Sequence, residues 1–240
     1  MTAASVDAPT ALIAVGAARA ARALAEGGVV AEARAALEWA REAFGEEVVV
    51  ASSMGDEVLV HLAAQAAPGI DVLFLDTGYH FAETLGTRDA VAATLDVQVR
   101  TVLPLLTIAE QDARYGERLH ERDPNQCCAL RKVEPLERGL SPYAAWVTGM
   151  RRVDAPTRRD IDVVGWDAKR SKVKLNPIAS WTDDDVAAYA AEHGVLMNPL
   201  RQLGYPSIGC APCTRPVAPG EDPRAGRWAG TDKTECGLHT

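Results

Sequence analysis

Two pairs of cysteines stand far apart in this chain, and a fifth lies near its end. Cys127 and Cys128 are adjacent, Cys210 and Cys213 enclose Ala211 and Pro212, and Cys236 sits in the run Glu235-Cys236-Gly237-Leu238-His239. Thiolates are soft ligands, so four of them in two pairs suit a metal ion or an iron–sulfur cluster. The plain alternative is four buried thiols acting as small hydrophobes. Gly, Pro and Arg surround Cys210 and Cys213, which makes poor core. A single zinc would gather four sulfurs at about 2.3 Å from one point, and neighbouring residues aim their side chains apart. A 4Fe–4S cube offers separate iron corners, which Cys127 and Cys128 can take individually. The cluster is the favoured reading and zinc stays open. Cys236 is left over. Ionised, it would be a nucleophile, with His239 three residues away to assist; the alternative is an inert terminal cysteine.

Basic residues gather around these thiols. Lys132 follows the first pair, Arg151-Arg152 follow Thr148-Gly149, and Arg215, Arg224 and Arg227 lie between the C-x-x-C and Cys236. Arginine forks match phosphate and sulfate oxygens. For Arg158, Arg159 and Arg170 a solvated surface charge is the better expectation. The turn Ser52-Ser53-Met54-Gly55-Asp56 follows a buried strand and opens a helix. Its amides and hydroxyls can hold an anion, though the loop is not a Walker motif.

Strands and helices alternate in a way that can position such groups. Glu47–Ala51, Asp71–Asp76, Val97–Leu103 and Ala144–Gly149 read as buried strands, with Val163-Val164 and 172–175 as shorter peripheral ones. Helices are expected from Val30 to Phe44, ended by Gly45, from Glu57 to Ala67, from the end of the turn 77–80 to about Leu95, and from a polar, acidic start over 180–185 to Glu192, ended by Gly194. This alternation predicts an α/β fold, a mostly parallel sheet with helices on both faces and an irregular C-terminal tail. Ligands of such sheets sit at the carboxyl ends of strands, which puts 52–56, 76–80 and 148–152 on one rim. We expect a nucleotide-binding domain over 1–201, with 1–28 a peripheral helix, and a segment 202–240 carrying the C-x-x-C and a mobile tail.

The 240 residues carry a formal charge of -8, which argues against a nucleic-acid partner. No apolar run is long enough for a membrane span, and the first residues do not read as a signal peptide. The reading is therefore a cytoplasmic protein with no membrane or nucleic-acid partner and with reduced cysteines. Whether it forms a homo-oligomer stays open.

Taken together, Cys127-Cys128 with Lys132, Cys210-Ala-Pro-Cys213-Thr-Arg215, Gly220-Glu-Asp-Pro-Arg224-Ala-Gly-Arg227-Trp228 and Glu235-Cys236-Gly237-Leu238-His239 resemble the assimilatory adenylyl-sulfate (APS) reductases. These form the iron–sulfur branch of the phosphoadenylyl-sulfate reductase family. Leu75-Asp76-Thr77-Gly78 and Thr148-Gly149-Met150-Arg151-Arg152 fit as well. The resemblance implies an adenine nucleotide alpha hydrolase-like (Rossmann-like) fold. It implies reduction of APS to sulfite and AMP through a Cys S-sulfo intermediate, in sulfate assimilation and cysteine biosynthesis, with thioredoxin or a similar dithiol as electron donor. Carried over by position, Cys127, Cys128, Cys210 and Cys213 would hold one 4Fe–4S cluster. Cys236 would be the nucleophile, and Ser52, Lys132, Arg152, Arg224 and Arg227 would contact the phosphosulfate. The loop 52–56 departs from the family's usual Ser-Gly or Ser-Phe-Gly, and only Trp228 stands where consecutive tryptophans are usual. Rival readings are a phosphoadenylyl-sulfate (PAPS) reductase, which usually lacks the cluster cysteines, a thiolating ATP pyrophosphatase, whose Ser-Gly-Gly-x-Asp-Ser-type loop is missing, and a cluster-based redox sensor.

Overall fold

Runs of β-branched residues buried on both faces make the central strands, and Gly or Pro ends most of the helices between them. The computed structural model describes residues 8–55, 57–231, 233 and 235–238. In chain order the elements are α1 (Ala8–Phe44), β1 (Val48–Ala51), α2 (Val58–Ala66), β2 (Ile70–Leu75), α3 (Ala82–Thr94), β3 (Val97–Val102), α4 (Ile108–Tyr115), α5 (Leu119–Arg122) and α6 (Pro124–Cys128). Then come a π-helical turn (Ala129–Val133), α7 (Glu134–Leu140), β4 (Ala145–Thr148), β5 (Val164–Asp167), β6 (Lys172–Leu175) and α8 (Asp183–His193).

The six strands lie in the order β3-β2-β1-β4-β6-β5. All neighbours run parallel except β5, which pairs antiparallel with β6 at the edge. The chain winds outward from β1 through β2 to β3, then returns to place β4 on the other side of β1. The crevice between the carboxyl ends of β1 and β4 is thus the topological switch point, where such sheets bind ligands.

Alternation along the strands feeds two cores. Val48, Val50, Val72, Phe74, Ala145 and Val147 face one side, against α1, α2 and α8, with Trp181 and Tyr189 wholly or almost wholly enclosed. Val49, Leu73 and Trp146 face the other, against Leu136 and Leu140 of α7. Both faces are covered, as a parallel sheet requires.

The expected strands and the α8 capping are found. Thr182 accepts from the Asp185 amide, and Gly194 closes the helix in the left-handed region. The helical stretch α1 is two helices joined at a kink: Gly28, at φ 77 and ψ -170, leaves helical geometry between a leading helix that starts at Ala8 and the expected helix that ends at Phe44. Before that kink, Gly16 lies where a β-carbon would come within 2.7 Å of the Trp39 ring, so the leading half packs closely on the second. One region departs from expectation: the stretch 104–143, left without elements by the sequence, holds three short helices, the π-helical turn and α7. No described helix is long and apolar enough to cross a membrane.

Candidate active site

The adjacent cysteines sit on a short helix that the sequence starts firmly. Asp123 caps it by accepting the Gln126 amide at 2.9 Å, and Pro124 occupies its first turn. Cys127 and Cys128, both buried, end it. The π-helical turn Ala129–Val133 then redirects the chain so that Arg131 and Lys132 face the same cavity as the cysteines. π-Turns of this kind concentrate at functional sites.

The second pair arrives from another part of the chain. Cys210 and Cys213 flank a 3-10 turn, with the Cys213 amide donating to the Cys210 carbonyl at 2.9 Å. The Ala211 amide donates to the Tyr79 carbonyl at 2.7 Å, and Thr77 Oγ lies 3.3 Å from Cys210 Sγ. These contacts tie the C-x-x-C to the loop after β2. The Trp228 amide donates to the Cys213 carbonyl, and an isolated bridge pairs Thr214 with Arg227. The segment after Pro199 is therefore pinned at intervals despite its irregular course.

All four cysteines line one cavity of about 10 Å³, together with Tyr79, His120, Pro124, Arg131, Lys132 and Trp228. Burial and mutual repulsion push the Cys127 thiol up to about 12, and burial with the Cys210 charge pushes Cys213 up to about 11. Burial also raises Cys128. Burial thus works against the ionised form of Cys127, Cys128 and Cys213, and cationic iron bound to the sulfurs would reverse that penalty. The donor set therefore fits an all-thiolate cluster. Among the described residues no three His, Cys, Asp or Glu side chains gather so as to hold a single metal ion.

Positive charge surrounds the cavity. Atoms crowd the Lys132 side chain, although part of its surface stays open. Burial works against its charge, but Cys210, Cys236 and Cys128 outweigh it and hold the ammonium above the usual lysine range. Arg227 is held below the usual arginine range by burial and by Arg224. Its Nη1 donates to Ser207 Oγ and the Ile208 carbonyl, its guanidinium lies 4.6 Å from the Trp228 ring centroid, and its buried Nε has no hydrogen-bond partner among the described residues. Such an orphaned donor suits an anionic ligand. Gly209 makes room for this side chain: a β-carbon there would meet the guanidinium at 2.5 Å. Arg131 is buried, donating to the Thr77 carbonyl at 2.5 Å and to Gln111 Oε1 at 3.0 Å. Sequence reasoning passed over it, and its place between two cavities was not visible in a motif.

Cys236 is half-buried and lies within electrostatic reach of Cys128, Lys132 and Arg227. Arg224 pairs with Glu235 at 3.2 Å. Of the expected anion-site residues, Lys132 lines the cysteine cavity; Arg227 stacks on Trp228 at its wall, Cys236 is within electrostatic reach of Cys128 and Lys132, and Arg224 lies beside Glu235. Ser52 lies at the switch point, its Oγ accepting from the Met54 amide and contacting Glu57 Oε2 at 3.4 Å. Arg152 spends its Nε and Nη2 on the Ile161 carbonyl, and neither Ser52 nor Arg152 lines the cysteine cavity. His239 and Asp56 lie outside the described residues. Two expectations are corrected. Arg158 is not a solvated charge but a buried one, paired with Asp154 and Glu235, and the Arg170 side chain is enclosed against Trp146 and paired with Asp167. Each had acidic partners remote in sequence or hidden in a turn, which a local reading of charge does not register.

A mostly parallel α/β sheet with two cysteine pairs, buried cations and a further cysteine beside the loop that follows β2 defines a class of α/β proteins with a thiol-lined site. The phosphoadenosine phosphosulfate reductase domain matches residues 47–216, and the chain belongs to that family. It is 64% identical over 203 residues to the adenosine 5'-phosphosulfate reductase of Streptomyces coelicolor, covering 85% of this chain and 86% of that one. It is 58% identical over 222 residues to the adenosine 5'-phosphosulfate reductase of Mycolicibacterium smegmatis, covering 91% and 94%. Among solved structures, the PAPS reductase of Candida auris in complex with phosphate aligns with a TM-score of 0.65 at 27% identity, covering 76% of this chain and 90% of that one. The FMN adenylyltransferase of Candida glabrata, at 14% identity and a TM-score of 0.56, shares the fold.

Proposed function

We propose that this protein reduces adenylyl sulfate to sulfite and AMP, with a dithiol protein of the thioredoxin type as electron donor. The observation that supports this reading is that the four cysteines and Lys132 line one cavity, with Cys236 and Arg227 within electrostatic reach of Lys132 and of those thiols. The names of relatives at 58–64% identity agree with it.

The substrate's phosphosulfate would lie against Lys132 and Arg227, with the unpartnered Nε of Arg227 donating to it. The Cys236 thiolate attacks the sulfate sulfur. A sulfur–sulfur bond forms, the bond from that sulfur to the phosphate oxygen breaks, and AMP leaves with the electron pair. Charge grows on the departing phosphate, where fixed cations stabilise it most. One thiolate of the reductant then attacks Cys236 Sγ, and sulfite leaves with the bonding pair. The reductant's second thiol displaces Cys236, so the dithiol ends as a disulfide and the enzyme thiol is restored. Cys127, Cys128, Cys210 and Cys213 would hold the 4Fe–4S cluster. When bound, the cluster would order the segments that carry these cysteines and shape the field at the anion site.

The test is to mix the protein with APS and no reductant. The peptide carrying Cys236 should gain the mass of one SO3 group while AMP is released, and Cys236→Ser should form no adduct. An adduct on another residue, or turnover by the Ser variant, would reject the mechanism. Parallel turnover on APS and PAPS decides between the two substrates.

A further inference from the structure

The tail carrying Cys236 is fastened on both sides of that cysteine. On one side the Glu235 carboxylate accepts from Arg158 Nη2 at 2.8 and 2.9 Å, from Arg158 Nε at 3.2 Å and from Arg224 Nη2 at 3.2 Å. Arg158 is itself buried and anchored to Asp154 at 3.3 Å. On the other side Leu238 packs into the apolar cluster formed by Val49, Leu73, Leu136, Leu140 and Trp146 under the sheet. Lys233 adds a third tie, donating to Asn125 in the helix that carries Cys127 and Cys128. A fork of two arginines on one partly buried carboxylate is among the stronger polar contacts a protein makes. It is also a contact that a competing anion can break.

We propose that Arg158 is a positioning residue for Cys236. Acting through Glu235, it clasps the tail so that the half-buried thiol stays within reach of Lys132 and Arg227. The clasp favours the attack on substrate, which needs Cys236 held near the anion site. It hinders the next step, because a protein dithiol must reach the sulfur that the clasp keeps half-buried. Glu235 also occupies Arg224, so an incoming phosphosulfate competes with the tail for that guanidinium, and filling the anion site loosens the clasp as the reaction proceeds. The inference rests on the reaction proposed above.

The experiment separates the half-reactions in Arg158→Ala, Arg158→Lys, Glu235→Gln and the Arg158→Ala/Glu235→Gln double variant, each with its visible spectrum checked. Adduct formation from APS should slow about tenfold in either disabled single variant, equivalent to roughly 1.4 kcal/mol. The double variant should be no slower than the worse single one, since both remove the same contact. Arg158→Lys should recover part of the rate. Release of sulfite from pre-formed adduct by the dithiol should be unchanged or faster. Independently of any turnover, alkylation of Cys236 by iodoacetamide, read by peptide mass, should be faster in the disabled variants. Adduct formation by Glu235→Gln at the wild-type rate, together with unchanged alkylation, would overturn the clasp. So would a loss confined to nucleotide affinity in the Arg158 variants, which would mean that Arg158 touches substrate instead. If the wild type forms no adduct, the reaction is wrong, while the alkylation comparison still decides whether the clasp exists.

Discussion

At the scale of single residues, charge placed in a crowded cavity governs the chemistry. Lys132 holds its proton against burial because cysteine sulfurs face it. Replacing it with Met keeps the shape and removes the charge. Adduct formation should then fall about a hundredfold, in line with the loss of one oriented donor at a developing anion. Rapid-quench measurement of AMP release would show this, and a Lys132→Met enzyme with wild-type release would take the lysine out of the site. Gly209 offers a second test without touching a charge. Alanine there would drive a β-carbon into the Arg227 guanidinium, at 2.5 Å, and the side chain must swing away. Gly209→Ala should therefore copy the kinetic defect of Arg227→Ala while retaining the visible spectrum. Wild-type kinetics in Gly209→Ala would show that Arg227 need not lie over that backbone.

At the scale of elements, the π-helical turn Ala129–Val133 sets which way Arg131 and Lys132 point. Deleting Ala129 would let an ordinary α-helix form and swing Arg131 and Lys132, which lie within the turn, away from their present directions. The expected outcome is near-native far-ultraviolet circular dichroism with loss of both adduct formation and bound iron. Retained activity would mean that the turn has no positioning role. This element also marks where sequence reading stops. The strands were legible because parallel strands are continuous β-branched runs, as in Val48–Ala51 and Ile70–Leu75, and α8 because Thr182, Asp185 and Gly194 mark its ends. The stretch from Pro104 to Tyr143 was not, because its helices are short, interrupted by Pro124 and Pro135, and fixed by distant contacts such as Arg131 on Thr77. The cysteine pairs stood out by type and spacing, whereas Lys132, Arg224 and Arg227 were singled out by position in the family resemblance. Arg158 escaped because its partner Glu235 lies 77 residues away.

At the scale of the whole molecule, the cysteine cavity joins the middle of the chain to its last part. If the four cysteines share a cluster, it staples residues 210–213 to the sheet rim, and a ligand bound only by the folded state adds to stability. Anaerobic scanning calorimetry should find the iron-loaded protein melting several degrees above the metal-free form. Limited proteolysis of the metal-free form should cut first between Pro199 and Trp228. Equal melting temperatures would show that iron is not part of the fold's framework.

The separation of the two cysteine pairs also bears on how the protein is made. At a synthesis rate of about 5–20 residues per second, Cys213 is polymerised roughly 4–17 s after Cys128. A nascent chain that has already built β1 to β4 therefore presents half of the proposed ligand set, with no opposing thiols to close the cavity. A cluster held by all four cysteines would have to wait for the later pair, and in that interval the early thiols would stand open to oxygen. Cells short of iron or rich in oxidant would lose this protein during its birth more readily than after it.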